Sequence, residues 1–314
     1  MLDALVQGIL LGGYFALLAA GLSLMFGVVR FINLAHGDMA VLGAMLAYWL
    51  VQGFGVPVIW AIVVVLPVMG AFGWMMQAYL FERALRGGFL VPILTTIGLG
   101  AALQNGMFAA FGSDTKSLGA HIGALSWSGW TLPGGIIVGK LPVYTFVTAV
   151  VILVVLHLIL TRTKLGRAIR ATASDGEAAE LCGVDAAKAH RAAAAIAVAL
   201  AGLAGIFFAM RAQVTPYAGP MQLIFAFEAV VIGGIGSLWG TLVGGIILGV
   251  SQALGGMISA QFSVLAGHTV FLIVLIVRLA HEGAAARGGW HAMLHALLDP
   301  PRKKKHSNLK GAAE

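Results

Sequence analysis

The sequence has few charged residues and almost no cysteine. Only 10% of its 314 residues are charged, whereas a typical water-soluble domain carries about 25%. Hydrophobic residues make up 60% of the chain, so an ordinary soluble domain is excluded. The single cysteine, Cys182, excludes an internal disulfide and a cysteine-based metal framework, and we interpret it as a small filler residue in a polar loop.

Long uncharged runs predict membrane-spanning helices. Residues 51–81 and 141–160 contain no Asp, Glu, Lys or Arg, and about 20 apolar residues suffice for a helix to cross a bilayer. A transmembrane β-barrel would show short alternating segments instead. We therefore expect an all-α fold, a polytopic transmembrane bundle of about eight to ten spans. The expected spans lie near residues 4–29, 37–53, 57–80, 89–111, 141–160, 192–212, 222–236, 240–258 and 262–279.

Glycine patterning adds detail to the last part of this bundle. Gly240, Gly244, Gly245 and Gly249 lie close together in one apolar run, and small residues at such intervals let two helices approach closely. The preceding run, residues 222–236, is short and glycine-rich, so a re-entrant or broken element is the alternative to a full span there.

Basic residues are concentrated in two segments. Residues 161–191 contain six Lys or Arg against four acids, and residues 278–314 contain seven against three. Loops rich in Lys and Arg stay on the cytoplasmic side, so we expect both segments inside and the N-terminus outside. Nucleic-acid binding is the alternative explanation, but the juxtamembrane position favours topology, and we expect no nucleic-acid partner.

The decapeptide SDGEAAELCG, residues 174–183, predicts a short polar helix. Ser174 and Glu177 have the spacing of a capping box, in which each side chain satisfies a free amide of the first turn. Gly183 can adopt the left-handed conformation that ends a helix. An isolated helix of this length is marginal in water, so another surface must hold it.

The residues alone leave the role of this helix open. Ala178 and Ala179 would allow another surface to approach closely, and Leu181 would offer an apolar anchor. A partner protein is one occupant of that surface. The alternative is a solvated connector between two spans.

The chain resembles the permease subunits of ABC importers. Glu177, Ala178, Ala179 and Gly183 match the coupling loop by which such permeases dock into an ATPase. Longer segments resemble branched-chain amino acid permeases of the LivH type in particular. These segments are TRTKLGRAIRA (161–171), which contains Arg167, AVALAGLAG (197–205), GLSLMFGVVRFINLAHGDMAVLGA (21–44) and FEAVVIGGIGSLWGTLVGGIILG (227–249).

The resemblance implies a permease domain over residues 1–279, with a cytoplasmic coupling loop over 162–191. It also implies that this chain is not an enzyme and that ATP is hydrolysed by two partner ATPase subunits, so no cofactor is expected here. Further implied partners are a second homologous permease and an extracytoplasmic solute-binding protein, in a bacterial inner membrane. Urea or short amides are the alternative solutes.

Two polar features at membrane depth are candidates for the solute pathway. Asn33, His36 and Asp38 lie between the first two apolar runs, either in a tight cytoplasmic turn or in a broken helix that enters the bundle. Glu228 lies in an apolar run and is either inside the membrane, where an acid must pair or face water, or at an outer helix terminus. Gln104 is a further polar candidate.

Two apparent motifs carry little weight. Residues 134–140, GGIIVGK, fit a P-loop, but Leu141 follows where Ser or Thr is needed, so we reject a nucleotide site. In the tail, 280–314, we expect an interfacial helix and a basic anchor for anionic lipid. His291 and His295 have metal-compatible spacing but no third ligand, so no metal site is expected.

Two other classes of protein remain as alternatives. An ion-coupled secondary transporter would use Asp38 or Glu228 as its coupling carboxylate, and the chain alone would transport solute. A purely structural membrane protein would tolerate scrambling of residues 174–183.

Overall fold

The computed structural model describes residues 1–88, 90–132 and 135–287. Its helices are α1 (Leu2–Val29), α2 (His36–Phe54), α3 (Val58–Met76), α4 (Glu82–Leu85), α5 (Leu90–Phe111), α6 (Lys140–Arg162), α7 (Lys164–Ser174), α8 (Gly176–Leu181), α9 (Ala186–Arg211), α10 (Gly219–Gly233), α11 (Leu238–Gly256) and α12 (Ala260–Arg287). A π-helical turn, Gln77–Phe81, joins α3 to α4, and two 3-10 turns, Gly119–His121 and Gly123–Ser126, follow α5. Helices therefore dominate the described chain, as predicted.

Seven helices in the described ranges are long and apolar enough to cross a membrane. They are Leu2–Val29, Val58–Leu85, Leu90–Phe111, Lys140–Arg162, Ala186–Arg211, Leu238–Gly256 and Ala260–His281. The other two predicted spans correspond to α2 and to α10, which has 15 residues and is too short for the same criterion. The predicted all-α, multi-pass membrane fold is confirmed.

The only sheet in the described residues is a small antiparallel hairpin. Strand β1 (Gly129–Leu132) pairs with β2 (Ile136–Gly139), and Lys140 begins α6 directly after it. The glycine-rich decoy motif therefore forms part of a strand and a helix start. Residues 136–139 of the motif pair with β1 and residue 140 is already helical.

Helix α1 is the central helix of the bundle and packs most closely against α11. A Cβ on Gly245 would lie 2.6 Å from the Gly12 carbonyl oxygen, and one on Gly8 would lie 2.6 Å from Val250 Cα. The two backbones touch because the residues between them are glycine. We name Gly8, Gly12, Gly245 and Gly249 the glycine seam, and it confirms the small-residue packing predicted for α11.

Helices α6 and α7 form a sharp turn at one end of the bundle. The Thr163 hydroxyl caps α7 by accepting a hydrogen bond of 3.0 Å from the Gly166 amide. Gly166 lies against the α6 backbone at Ile159 and Leu160, where a side chain would not fit. Ile169 is buried on the inner face of α7, whereas Arg167 and Arg170 are exposed.

Contacts divide the chain into two units, Met1–Phe271 and Leu272–Glu314. The division falls within α12. The predicted interfacial helix, the basic anchor and the His291/His295 pair all lie beyond residue 287, outside the described residues.

Candidate coupling surface and buried polar sites

Helix α8 is capped by Asp175, and the predicted capping box of Ser174 and Glu177 is wrong. The Asp175 backbone is extended, and its side chain accepts a hydrogen bond of 3.1 Å from the Ala178 amide. Ser174 is still the last residue of α7, so it lacks the extended backbone that a cap requires. The capping box was predicted without the separate helix α7, which continues as far as Ser174.

The end of α8 forms as the sequence predicts. Gly183 has φ of +81°, and the Val184 amide donates to the Ala179 carbonyl at 2.9 Å. This pattern is the glycine-terminated closure that satisfies the last carbonyls of a helix. The helix has only six residues, so caps at both ends account for much of its local order.

The exposure of α8 separates an inward and an outward face. Ala179 is buried, with 6% of its surface accessible, whereas Leu181 is 91% exposed. Glu177, Ala178 and Gly183 are also exposed. Both Ala178 and Ala179 were predicted to allow close approach of another surface. Because Ala179 packs against this chain, only Ala178 is available for such a contact.

We name the exposed residues Arg167, Glu177, Ala178, Leu181 and Gly183 the coupling surface. Within this set Leu181 is the large apolar side chain, Glu177 lies one turn before it on α8, and Arg167 lies on α7. Burial of a leucine side chain by a partner is worth about 1.5–3 kcal/mol, so Leu181 can serve as an apolar anchor for one.

The coupling surface is attached to the bundle at both ends. Before it, Arg30 donates to the Ala173 carbonyl at 2.9 Å and to the Ser174 carbonyl at 3.4 Å. After it, Arg191 makes a two-pronged ion pair with Glu82 of α4, at 2.6 and 2.8 Å. These contacts connect α7 to the end of α1, and α9 to α4.

Asp185 closes the loop at its far end. It caps α9, where its side chain accepts a hydrogen bond of 2.9 Å from the Lys188 amide. That backbone hydrogen bond, followed by the Lys188 side chain, lowers the pKa of Asp185 below its usual value. The carboxylate is therefore charged at neutral pH, as a cap that accepts hydrogen bonds should be.

Arg30 has an unusual backbone conformation. It ends α1 and has φ of 58°, the only positive φ among the non-glycine residues of the described ranges. Such a conformation is unfavourable for an L-residue and is kept only where surrounding structure requires it. Arg30 thus fixes the direction of the chain where α1 ends and the segment leading to α2 begins.

After Arg30 the chain returns into the bundle. The His36 ring Nε2 donates to the Leu18 carbonyl at 3.1 Å, and Leu18 lies 11 residues before the end of α1 at Val29. At 1.5 Å per residue, the His36 ring at the start of α2 therefore reaches a level about 16 Å inside that end. This geometry favours the predicted alternative in which a broken helix enters the bundle over the tight surface turn.

The three polar candidates in this segment are buried but have different partners. The side-chain oxygen Oδ1 of Asn33 accepts from the Ala35 amide at 3.0 Å, which stabilises the turn into α2. Asp38 accepts from Gln104 of α5 at 2.9 Å and is enclosed by Gly100 and Gly219. It makes no ion pair with Arg30, whose guanidinium contacts α7 instead.

The Asp38 carboxylate connects three helices. The residues around it belong to α2, α5 and the first turn of α10. Gly219 allows this carboxylate to lie at the start of α10, because a Cβ there would overlap it. The N-terminus of a helix is a favourable position for a negative charge, which helps to explain an acid inside an apolar bundle.

Glu228 lies in the middle of α10, with only 2% of its surface exposed. Its Oε1 accepts a hydrogen bond of 2.5 Å from His268 Nδ1 on α12, and the His268 ring stacks on Phe225. Its Oε2 has no hydrogen-bond partner among the described residues. The predicted alternative of a helix terminus is wrong, because Glu228 is an interior residue of its helix.

Sequence reasoning missed two polar residues: His268, which pairs with Glu228, and Arg211, whose guanidinium lies over the Tyr14 ring. His268 is a lone histidine in an otherwise apolar run, and this isolation was the available signal. Arg211 is a cation at the end of a long apolar helix, which positional rules treat as a simple boundary. The described residues contain no group of three or more His, Cys, Asp or Glu that could hold a metal.

The fold and these sites define a polytopic transport permease. The family model for the permease component of branched-chain amino acid transport systems matches residues 4–279. Because this match covers most of the chain, the protein belongs to that family and is a multi-pass membrane protein.

Particular relatives carry the same description. The chain is 30% identical to the high-affinity branched-chain amino acid transport system permease protein BraD of Pseudomonas aeruginosa, over 88% of this chain and 94% of BraD. It is 25% identical to the corresponding protein LivH of Escherichia coli K12, over 88% of this chain and 93% of LivH. The solved structure of PsaBC from Streptococcus pneumoniae in complex with Fab aligns with a TM-score of 0.47 and 14% identity, over 94% of this chain and 95% of that one.

Proposed function

We propose that the chain is the transmembrane permease subunit of an ATP-driven importer for branched-chain amino acids in a bacterial inner membrane. Family membership supports the transport role, and BraD and LivH, which cover nearly the same length, support the solute class. The observation that carries the coupling role is Leu181, which is 91% exposed on the capped helix α8.

The proposal assigns the energy source to other subunits. Two ABC ATPases would bind the coupling surface and hydrolyse ATP, and a second homologous permease would complete the pathway. A solute-binding protein would deliver the amino acid at the opposite, hairpin end of the bundle. In this scheme the chain forms and breaks no covalent bond, and residues 162–191 lie on the cytoplasmic side, as their positive charge favours.

The coupling mechanism follows from the contacts of α7 and α8. ATP binding would move the ATPases together, and α8 would move with them because Leu181 is held in their cleft. Displacement of α8 acts on the carbonyls of Ala173 and Ser174, and Arg30 transfers it to the end of α1. The segment from Arg30 to His36 then changes the position of α2 and its carboxylate Asp38, which is a two-state transition driven by a distant ligand.

The experiment replaces the apolar anchor of the coupling surface. Leu181→Ala removes an exposed side chain with little effect on folding, so membrane level and thermal stability should stay near wild type. Leucine uptake by proteoliposomes with ATPases and binding protein should fall about tenfold or more, because an interface anchor contributes more than about 1.4 kcal/mol.

Leu165→Ala on α7 is the matched control. Leu165 is also an exposed leucine, 40% accessible, but it lies outside the coupling surface, and its replacement should leave uptake near wild type. Equal loss in both variants would contradict the assigned surface. Rapid leucine flux by the permease alone, without nucleotide and sensitive to an uncoupler, would show an ion-coupled transporter instead.

A further inference from the structure

A small cavity lies at the hairpin end of the bundle, away from the coupling surface. It has a volume of about 270 Å³ and is bounded by α1, α6, α9 and α11. Its walls include Gln7, Leu10, Leu11, Tyr14, Pro142 and Arg211. The Gln7 amide donates to the Ile137 carbonyl of β2 at 2.9 Å, so the cavity lies next to the hairpin. Its size is close to the lower limit of small-molecule sites, about 300 Å³.

Arg211 is a guanidinium without an acidic partner in the described part of the chain. The ion pairs there involve Asp114, Asp185, Glu82 and Glu228, and none of them reaches Arg211. A cation at this position in a transmembrane bundle normally pairs or faces water. The C-terminal end of α9 offsets part of the charge, since helix C-termini favour cations, but it leaves the hydrogen-bond donors of the guanidinium available.

The position of Arg211 is set by an aromatic ring inside the bundle. Its Cζ lies 5.6 Å from the centre of the Tyr14 ring, and Tyr14 is 4% exposed. The Tyr14 hydroxyl donates to Gln222 on α10, which fixes the ring. Arg211 is itself an exposed residue, so its guanidinium is accessible to a ligand while it lies over this buried ring.

We propose that this cavity is a subsite for the α-carboxylate of an aliphatic amino acid, with Arg211 as the binding residue. A guanidinium binds a carboxylate through two parallel hydrogen bonds, and the apolar walls of Leu10, Leu11 and Pro142 accept the aliphatic side chain. The site has one positive charge, Arg211, and the neutral polar groups of Gln7, Tyr14 and Thr145 among mostly apolar walls. This lining matches a ligand with a carboxylate and a hydrocarbon side chain. The proposal rests on the proposed function for the identity of the ligand.

The test compares leucine with one ligand that lacks the carboxylate and with another that lacks the amine. The complete transporter, with its second permease, ATPases and binding protein, is reconstituted with wild type, Arg211→Gln or Arg211→Lys. Uptake gives KM and kcat for leucine and leucinamide. Equilibrium binding to the purified complex without binding protein or ATP is measured for leucine and for 4-methylpentanoate, which retains the carboxylate and lacks the amine.

In Arg211→Gln the KM for leucine should rise about 10- to 100-fold, because a hydrogen-bonded charged partner is lost. The preference for leucine over leucinamide should largely disappear, and 4-methylpentanoate binding should weaken by a similar factor. Arg211→Lys should be intermediate, since it keeps the charge but not the forked geometry. Lys140→Gln is the control, because Lys140 is a nearby cation whose amine lies over Trp130, and its loss should leave the preference unchanged.

Several outcomes would overturn the proposal. One is an unchanged leucine KM and preference in well-folded Arg211→Gln. Another is an unchanged KM combined with a new dependence on anionic lipid, which would assign Arg211 to a lipid phosphate. A third is partial dissociation of the Arg211→Gln complex with an unchanged leucine KM in the fraction that stays assembled, which would assign Arg211 to an acid of the second permease.

The equilibrium binding measurements distinguish failure of the subsite proposal from failure of the proposed transport function. If the wild-type complex shows no ATP-driven leucine uptake, the proposed solute is wrong, and Arg211-dependent binding of 4-methylpentanoate alone decides the subsite. If uptake is normal and carboxylate binding does not depend on Arg211, the subsite is wrong and the transport function stands. Should Arg211→Gln fail to insert, Arg211→Lys in the same assays gives the answer.

Discussion

The glycine seam and the coupling surface are built in opposite ways. In the seam, α1 and α11 meet through their backbones, and a single methyl group on Gly245 would lie 2.6 Å from a carbonyl oxygen. At the coupling surface, added Cβ atoms on Gly176 and Gly183 would meet no atom within 4 Å. Atoms of this chain fill the space around the glycine seam, whereas the space beside Gly176 and Gly183 is open.

The difference indicates that one region holds the helices together and the other is available to a partner. Lipid tails are as apolar as leucine, so helices in a membrane associate through close packing and not through the hydrophobic effect. The seam supplies such packing and keeps α1 and α11 together. The coupling surface contributes little to the stability of the bundle, so its residues are free to bind another protein and to move.

The largest expected effect comes from breaking the seam. Gly245→Ala places a methyl group against the α1 backbone, and overpacking of this kind typically costs about 1–3 kcal/mol. We expect a lower level in the membrane and a lower melting temperature in detergent. Gly98→Ala on α5 is the control, because a Cβ at Gly98 would meet nothing within 4 Å. Equal stability of the two variants would show that α1 and α11 do not rely on this contact.

The next prediction tests the connection between the two regions. Arg30→Asn keeps a residue that tolerates a positive φ but removes the hydrogen bonds to Ala173 and Ser174. Folding should be preserved, and ATP hydrolysis should continue with several-fold less leucine transported per ATP. The control is Arg170→Gln, because Arg170 also donates to a backbone carbonyl, that of Leu160, without reaching α1. The same ratio of transport to hydrolysis in both variants would contradict a transmitting role for Arg30.

The sequence predicted features that depend on neighbouring residues. Long apolar runs give the helices of the bundle because a membrane requires every backbone group to be satisfied within the chain. Gly183 ends α8 because glycine readily takes the left-handed conformation. The spacing of glycines in α11 indicated the seam, but its partner, Gly8 and Gly12 of α1, depends on the tertiary fold.

Features that depend on distant contacts were not predictable. Arg30 and Asp38 are close in sequence, yet Arg30 contacts α7 and Asp38 contacts Gln104 of α5. His268 is the partner of Glu228 from 40 residues away. Local sequence composition does not indicate the partners of Arg30, Asp38 and Glu228, because these partners depend on which helices pack together.

The Glu228–His268 contact joins α10 to α12 by a hydrogen bond, whereas the glycine seam joins α1 to α11 by close packing. Hydrogen bonds between membrane helices contribute about 0.6 kcal/mol on average and up to about 1.7. A double-mutant cycle with Glu228→Gln and His268→Gln, measured by thermal unfolding in detergent, should give a coupling energy in this range. It should be smaller than the loss in Gly245→Ala. Additive effects of the two substitutions would show that the helices do not depend on this pair.

The smallest expected effect on global stability distinguishes Asp175 and Ser174, the two residues that precede α8. Asp175→Ala removes the side chain that caps α8 and should cost about 0.5–2 kcal/mol of local helix stability. Ser174→Ala should change little, because Ser174 ends α7 and its side chain caps nothing. Hydrogen exchange of the amides in residues 178–182 measures this local opening, which lies below the global stability of the bundle. Faster exchange in Ser174→Ala than in Asp175→Ala would restore the capping box. With the expected order, the two variants should also differ in ATPase binding while retaining the same melting temperature, because α8 opens without disturbing the seam.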